Sequence, residues 1–231
     1  MTKIVEGESL RERTNVFGDR FHAGELLAEK LKDLRGEDAL VLAIPAGGVP
    51  VGITVARRLA LPFDVIMVRK LHIPWNREAG FGAIAWDGTV RLNEPLVKRL
   101  GLSGQEIDEC IAEERGDIEK RLRLFRGEAP FLNIEGKIAI LVDDGLASGF
   151  TMLAAVRSVG HRGVSKIVVA APTASMGAIG LLRPHVDTIV CLNIRTGPTF
   201  AVADAYKLWH DLDDEEVMEI LKTWVKSFRA S

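Results

Sequence analysis

The sequence Ile138-Ala139-Ile140-Leu141-Val142-Asp143-Asp144-Gly145-Leu146-Ala147-Ser148-Gly149-Phe150-Thr151 reads as one complete strand-to-helix unit. Five apolar residues without alternation are the pattern of a short strand covered on both faces. Two carboxylates follow at once, then a loop of small residues. Beyond the loop, Thr151–Val159 places its apolar residues at helical spacing.

Outward from this unit the same pattern recurs. Ala39–Ile44, Asp64–Val68, Ile167–Ala171 and Thr188–Leu192 are short runs rich in Val, Ile and Leu. Phe21–Leu34, Val51–Leu59 and Ser175–Leu182 have helical spacing. Strand alternating with helix predicts an α/β, doubly wound, mainly parallel five-stranded sheet. Two parts fall outside the alternation. Residues 83–92 read as a β-hairpin about Asp87-Gly88, a favoured two-residue turn. Ser103-x-x-Glu106 is a capping box that opens a long helix to about Phe125. A last helix starts at Asp213, with Glu216 three residues on, and runs to about Phe228. At 231 residues the expectation is a single unit spanning 1–231. Its core covers about 21–192, an inserted hairpin and helix about 71–126, and a C-terminal hood and helix about 193–231.

Composition excludes several classes. Thirty Lys and Arg against thirty-two Asp and Glu give a net charge of −2, which argues against a general nucleic-acid binder held by phosphate neutralisation. Two cysteines, Cys110 and Cys191, are too few for a disulfide scaffold and lack metal-ligand spacing, as in a reducing interior. Glu6 and Glu8 fall where a secretory signal would be apolar. Ile167–Leu182 is broken by Pro172, Thr173 and Ser175 and is too short to span a bilayer. A soluble, cytoplasmic protein with neither nucleic acid nor membrane as partner is expected.

In open α/β sheets ligands bind beyond the carboxyl ends of the strands. Asp143 and Asp144, where the strand turns, suit hydrogen bonds from the two hydroxyls of a ribose, or help in holding Mg²⁺. The small-residue loop and the helix start after it present unpaired N–H groups to a phosphate. Each such interaction is worth ~0.3–2 kcal/mol. After the first run comes Pro45-Ala46-Gly47-Gly48-Val49-Pro50-Val51-Gly52, whose glycines allow close backbone approach to an anion. After the second come two cations, Arg69 and Lys70. Gly80-x-Gly82-x-x-Ala85 matches a dinucleotide fingerprint but follows a polar loop rather than a strand. Gly145-Leu146-Ala147-Ser148-Gly149 is one residue too long for a nucleophile elbow. The five histidines show no metal spacing.

The stretch Ile140–Thr151 closely resembles the phosphoribosyl pyrophosphate (PRPP) signature of type I phosphoribosyltransferases. Asn15-Val16-Phe17-Gly18-Asp19-Arg20, residues 76–85 and residues 196–202 are similar to a subgroup of that family, so the resemblance covers nearly the whole chain. It implies a Mg²⁺-dependent enzyme that displaces pyrophosphate from C1 of PRPP with a nitrogenous, nucleobase-like acceptor, and a homodimer. By the same resemblance Asp143 and Asp144 contact the ribose hydroxyls and the metal, directly or indirectly. Ala147, Ser148, Gly149, Phe150 and Thr151 cradle the 5′-phosphate. Ala46, Gly47, Gly48, Arg69 and Lys70 take the pyrophosphate. Ile194, Arg195, Phe200, Val202 and Tyr206 wall the base under the hood. Independently of the resemblance, residues 71–92 contain glycines and lack a strong helical period, which suits a mobile cover that excludes water; Trp75 and Glu78 there either meet ligand or partner or belong to an ordinary polar loop. Two departures matter. Ala46 stands where the family's pyrophosphate loop usually carries Arg, which leaves open a PRPP- or nucleotide-sensing regulator on the same fold. Ala147 stands where 6-oxopurine enzymes place an acid, and alanine exchanges no proton with a base. A phosphosugar-processing enzyme using the same pocket is a third reading.

Overall fold

The computed structural model describes residues 2–127 and 129–228. A short strand β1 (Lys3–Glu6) leads to helix α1 (Arg20–Lys30), then to β2 (Ala39–Ala43), α2 (Gly48–Leu59) and β3 (Phe63–Val65). The chain next builds β4 (Val68–Ile73), β5 (Asn76–Ala85), β6 (Val90–Leu92), α3 (Glu94–Leu100) and α4 (Gly104–Arg126). It continues through β7 (Ile138–Val142), α5 (Phe150–Gly160), β8 (Lys166–Ser175), α6 (Met176–Leu182) and β9 (Thr188–Arg195) to α7 (Asp214–Phe228). The main sheet has the order β1-β9-β8-β7-β2-β3, and each pairing in it is parallel. Strands β4, β5 and β6 form a separate antiparallel sheet.

Side-chain alternation along the central strands explains the layers. Ile138, Ile140 and Val142 of β7, with Val41 and Ala43 of β2, pack with Leu27, Val51, Val55 and Leu59 from α1 and α2. Ala139 and Leu141, with Leu40 and Leu42, pack with Met152, Val156, Val159, Ile179 and Leu182 from α5 and α6. Each fully buried Val, Leu or Ile stabilises the fold by about 1.5–3 kcal/mol relative to exposure. Helix α5 is enclosed further, because β4, β5 and β6 lie over its other side. That is why Ala154, Ala155 and Ser158 are as buried as its sheet-facing residues. Helix α4 covers the far face of the small sheet, with Ile118 and Phe125 in the same core as Leu71, Phe81 and Ile84.

The α/β class is as expected, and five details differ. The sheet has six strands rather than five, because Lys3–Glu6 pairs with β9, Lys3 opposite Thr188. The run Asp64–Val68 is divided between two sheets. The Ile66 amide still donates to the Ala43 carbonyl (2.9 Å), whereas the Met67 carbonyl accepts from Trp86 (2.9 Å), so the chain changes partners between them. The first strand of the hairpin is longer than read: β5 begins at Asn76, so the segment expected as a polar loop before Gly80 is strand. The first helix ends at Lys30, followed by a 3₁₀ turn over Lys32–Leu34. The hairpin is present, but it closes over three residues, Trp86-Asp87-Gly88, rather than two, the Ala85 amide donating to the Thr89 carbonyl (2.8 Å) and the Gly88 amide to the Ala85 carbonyl (2.9 Å); the Ser103/Glu106 capping box is present as read. Asp213 and Glu216 cap each other in the same reciprocal way. Among the described residues no helix is long and apolar enough to cross a membrane.

Candidate functional site

At the carboxyl ends of the strands lies a cavity of about 370 Å³, lined by Lys70, Gly80 and Gly82 of the small sheet, by Asp143 and by residues 145–152. The loop that forms its floor is held from one side. The Leu146 amide donates to the Thr173 carbonyl and the Ser175 amide to the Leu146 carbonyl, both 2.9 Å. The Ser175 hydroxyl donates to the Ala147 carbonyl at 2.6 Å and accepts from the Ala178 amide at 3.0 Å. Gly149 turns the chain into α5 with φ +82°, a left-handed conformation that favours glycine. With the carbonyls so committed, the amides of Ala147, Ser148 and Gly149 take no acceptor among the described residues. The Phe150 amide reaches only the Ser148 hydroxyl, at 3.5 Å. Together with the first-turn amides of α5, these are open donors at the positive end of a helix dipole. The bulk of Phe150 does not remove its amide from that set.

The two aspartates have different surroundings. Asp143 lines the cavity. Burial holds its carboxyl well above the usual carboxylate range, and the neighbouring Asp144 adds to the shift. Asp144 turns the other way: its Oδ2 accepts from Arg20 Nε at 2.8 Å, and both side chains are largely buried. Burial raises the Asp144 carboxyl too, against the opposing pull of Arg20. The Asp144 amide donates to Asp143 Oδ1 at 2.8 Å, and the Tyr206 hydroxyl donates to the Asp144 carbonyl at 2.6 Å.

The expected cations separate because neighbours on a strand face opposite sides. Lys70 lines the cavity, its stem lying over Gly80, where a Cβ would come within 2.4 Å of Lys70 Cγ. Arg69 faces α4 instead, pairing with Glu114 (3.0 Å) and Asp117 (3.2 Å), so its expected place on the pyrophosphate is corrected to a structural one. In the glycine loop the Pro45–Ala46 peptide is cis. The Gly48 amide is committed to the Ile44 carbonyl at 3.1 Å, leaving those of Ala46 and Gly47 without an acceptor among the described residues. Both glycines are required by close approach: a Cβ on Gly47 would fall 1.8 Å from Asp144 Oδ2, and one on Gly48 would fall 2.7 Å from the Val142 carbonyl.

The residues expected to wall the base do not line this cavity. Ile194 is 2% exposed and belongs to the core under α5 and α6, which corrects its reading as a wall residue. Arg195 pairs with Asp204 at 3.2 Å and lies over Phe200, holding the hood to itself. Val202 touches the loop: its Cγ1 lies 2.4 Å from where a Gly145 Cβ would be. Tyr206 is buried between Phe17 and Trp209. Trp75 is 63% exposed, and the Glu78 side chain lies outside the described residues. Arg20, Trp209 and His210, which meet beside Asp144, carried no sequence signal of that role. Arg20 enters the sequence reading only as the end of Asn15–Arg20, the stretch similar to the subgroup; the structure adds that Asp19 caps α1, its Oδ1 accepting from the His22 amide.

A parallel α/β sheet with an amide-lined loop after a central strand, a carboxylate beside it and a lysine opposite puts open donors where such sheets leave a ligand crevice, and unpaired amides at a helix start suit an anion. The family model for the phosphoribosyl transferase domain matches residues 87–204, from the turn of the hairpin through the acidic loop to the start of the hood. Two Mycobacterium tuberculosis proteins, each named "Putative phosphoribosyl transferase", are 35% identical over 206 residues, 89% of this chain and 46% of theirs. The chain thus spans about half the length of the curated relatives it matches. The crystal structure of TT1426 from Thermus thermophilus is similar with TM-score 0.74 and 36% identity, over 90% of this chain and 98% of that one. The chain belongs to the phosphoribosyl transferase family.

Proposed function

We propose that the protein transfers the 5-phosphoribosyl group of PRPP to a nitrogenous, nucleobase-like acceptor and releases pyrophosphate. The observation that carries this reading is one cavity bounded by open amides at residues 147–151, by the Asp143 carboxylate and by Lys70. The amides hold the 5′-phosphate. Asp143 accepts hydrogen bonds from the ribose hydroxyls. Lys70, with the amides of Ala46 and Gly47, takes the charge of the departing pyrophosphate. No residue is asked to form a covalent intermediate; the protein orients the sugar and stabilises separating charge. Ala147 supplies no proton to the acceptor, which favours bases that react without an acid at that position.

The donor set suits Mg²⁺. Among the described residues no three His, Cys, Asp or Glu side chains gather around one point. An ion here would take Asp143 as its protein ligand, with the remaining oxygens from PRPP and water, as Mg²⁺ commonly does. Bound there, it would neutralise diphosphate charge and favour its departure.

Pyrophosphate release from PRPP, measured with Mg²⁺ across purines, pyrimidines and simple amines, tests the proposal. Release with one acceptor class is expected. Tight PRPP binding with no release across the panel would favour the sensor reading to which Ala46 points, and no PRPP binding would remove both.

A further inference from the structure

Arg20 is 7% exposed at the first turn of α1, a poor place for a buried cation because the helix dipole there is positive. Its surroundings compensate it from three parts of the chain. Nε donates to Asp144 Oδ2 at 2.8 Å and Nη1 to the His210 carbonyl at 2.9 Å. The guanidinium lies over the Trp209 ring, 3.9 Å from its centroid. Tyr206, next in the same stack, donates to the Asp144 carbonyl. The Asp144 carboxylate in turn fills the space over Gly47, and the Asp144 amide holds Asp143 Oδ1. A continuous set of contacts therefore runs from residues 206–210 through Arg20 and Asp144 to Asp143, which lines the cavity.

We propose that Arg20 is a positioning residue that makes docking of the 206–210 segment a condition for presenting Asp143 to ligand. It holds Asp144 off the cavity, so the acidic pair divides its work: Asp143 meets the ribose, and Asp144 orients Asp143 while filling the gap between α1 and the glycine loop. A buried ion pair is costly to break by removing one partner, so the arrangement acts as a fixture. The assignment rests on the reading of the cavity as a PRPP site.

Calorimetric binding of Mg²⁺-PRPP to Arg20→Gln, Arg20→Lys, Asp144→Asn, the Arg20→Gln/Asp144→Asn pair and Trp209→Leu tests it. Arg20→Gln and Asp144→Asn should each weaken binding by about 10–100-fold, the scale of losing an outer-shell partner, and the double variant should be no weaker than either single one. Arg20→Lys should fall between Arg20→Gln and wild type. Trp209→Leu should weaken binding although Trp209 does not line the cavity. Should Arg20→Gln fail to fold, Arg20→Lys and Trp209→Leu decide the matter, and wild-type affinity in both would overturn the proposal. Wild-type affinity in a folded Arg20→Gln protein, or losses that multiply in the double variant, would overturn the proposal. Amide exchange without ligand gives an independent arm. The Lys207 and Leu208 amides donate to the carbonyls of Phe17 and Gly18, and both should exchange faster in Arg20→Gln and in Asp144→Asn. If wild type binds no PRPP the proposed function fails, while unchanged exchange in both variants would overturn the role of Arg20.

Discussion

Asp143 follows directly on β7, and burial and Asp144 both raise its carboxyl, so the folded chain keeps that proton at a pH where the unfolded chain has lost it. The sign follows from linkage: this contribution to stability is fully present below the unfolded carboxylate pKa and is lost as pH rises through the folded value. Asp143→Asn should therefore melt higher than wild type above that range, with a flatter decline as pH rises, while binding PRPP more weakly. Thermal melts of the ligand-free proteins across acidic to neutral pH check this, and a variant melting below wild type throughout would contradict it. Gly47 provides a second case. Gly47→Ala should cost about 1–3 kcal/mol and lower PRPP affinity, since Asp144, pinned by Arg20, has nowhere to move. Gly180→Ala, in α6 with open space around it, should leave the stability equal or raise it, by about 1 kcal/mol at most. At this scale the sequence showed which residue types face an anion but not which way each points. Arg69 and Lys70 are equally cationic on paper, and only the pairing of β4 decides that Lys70 has the cavity and Arg69 has α4.

Among elements, the strongest local patterns were legible and the weakest were not. Ile138–Val142 is buried throughout and needed no further signal. The α4 capping box was readable because two side chains three residues apart are sufficient to satisfy the helix end. Strand β1 escaped because four residues, two of them charged, form an edge supported by β9 alone. The division of Asp64–Val68 escaped because Ile66, Met67 and Val68 are all buried, so hydrophobicity runs on without a break while the hydrogen bonds change sheets. Two expectations separate structural from functional elements. Ser103→Ala should destabilise the protein by about 1 kcal/mol and leave pyrophosphate release unchanged. Lys70→Ala should cut turnover more than it cuts binding of ribose 5-phosphate, which lacks the pyrophosphate; equal losses would remove the leaving-group role.

For the whole molecule, alternating βα units were enough to specify the sheet class and to place the cavity at its carboxyl edge. What sequence could not supply was the convergence of distant segments. Arg20 and Asp144 are 124 residues apart, and Arg20 and His210 are 190 apart. No spacing rule links them, since only the packed layers bring α1, the acidic turn and the hood together. Ile194 was misplaced for a different reason: β9 continues to Arg195, which carries Ile194 into the core. The claim on which the rest depends is that the floor of this cavity holds a phosphorylated ribose through Asp143 and the amides after it. Calorimetric titration of wild type and Asp143→Asn with Mg²⁺-PRPP tests it most directly. Saturable one-site binding by wild type, weakened about tenfold to a hundredfold in the variant as expected for losing hydrogen bonds to a charged group, is the predicted result. Equal affinities, or no binding by wild type, would contradict it.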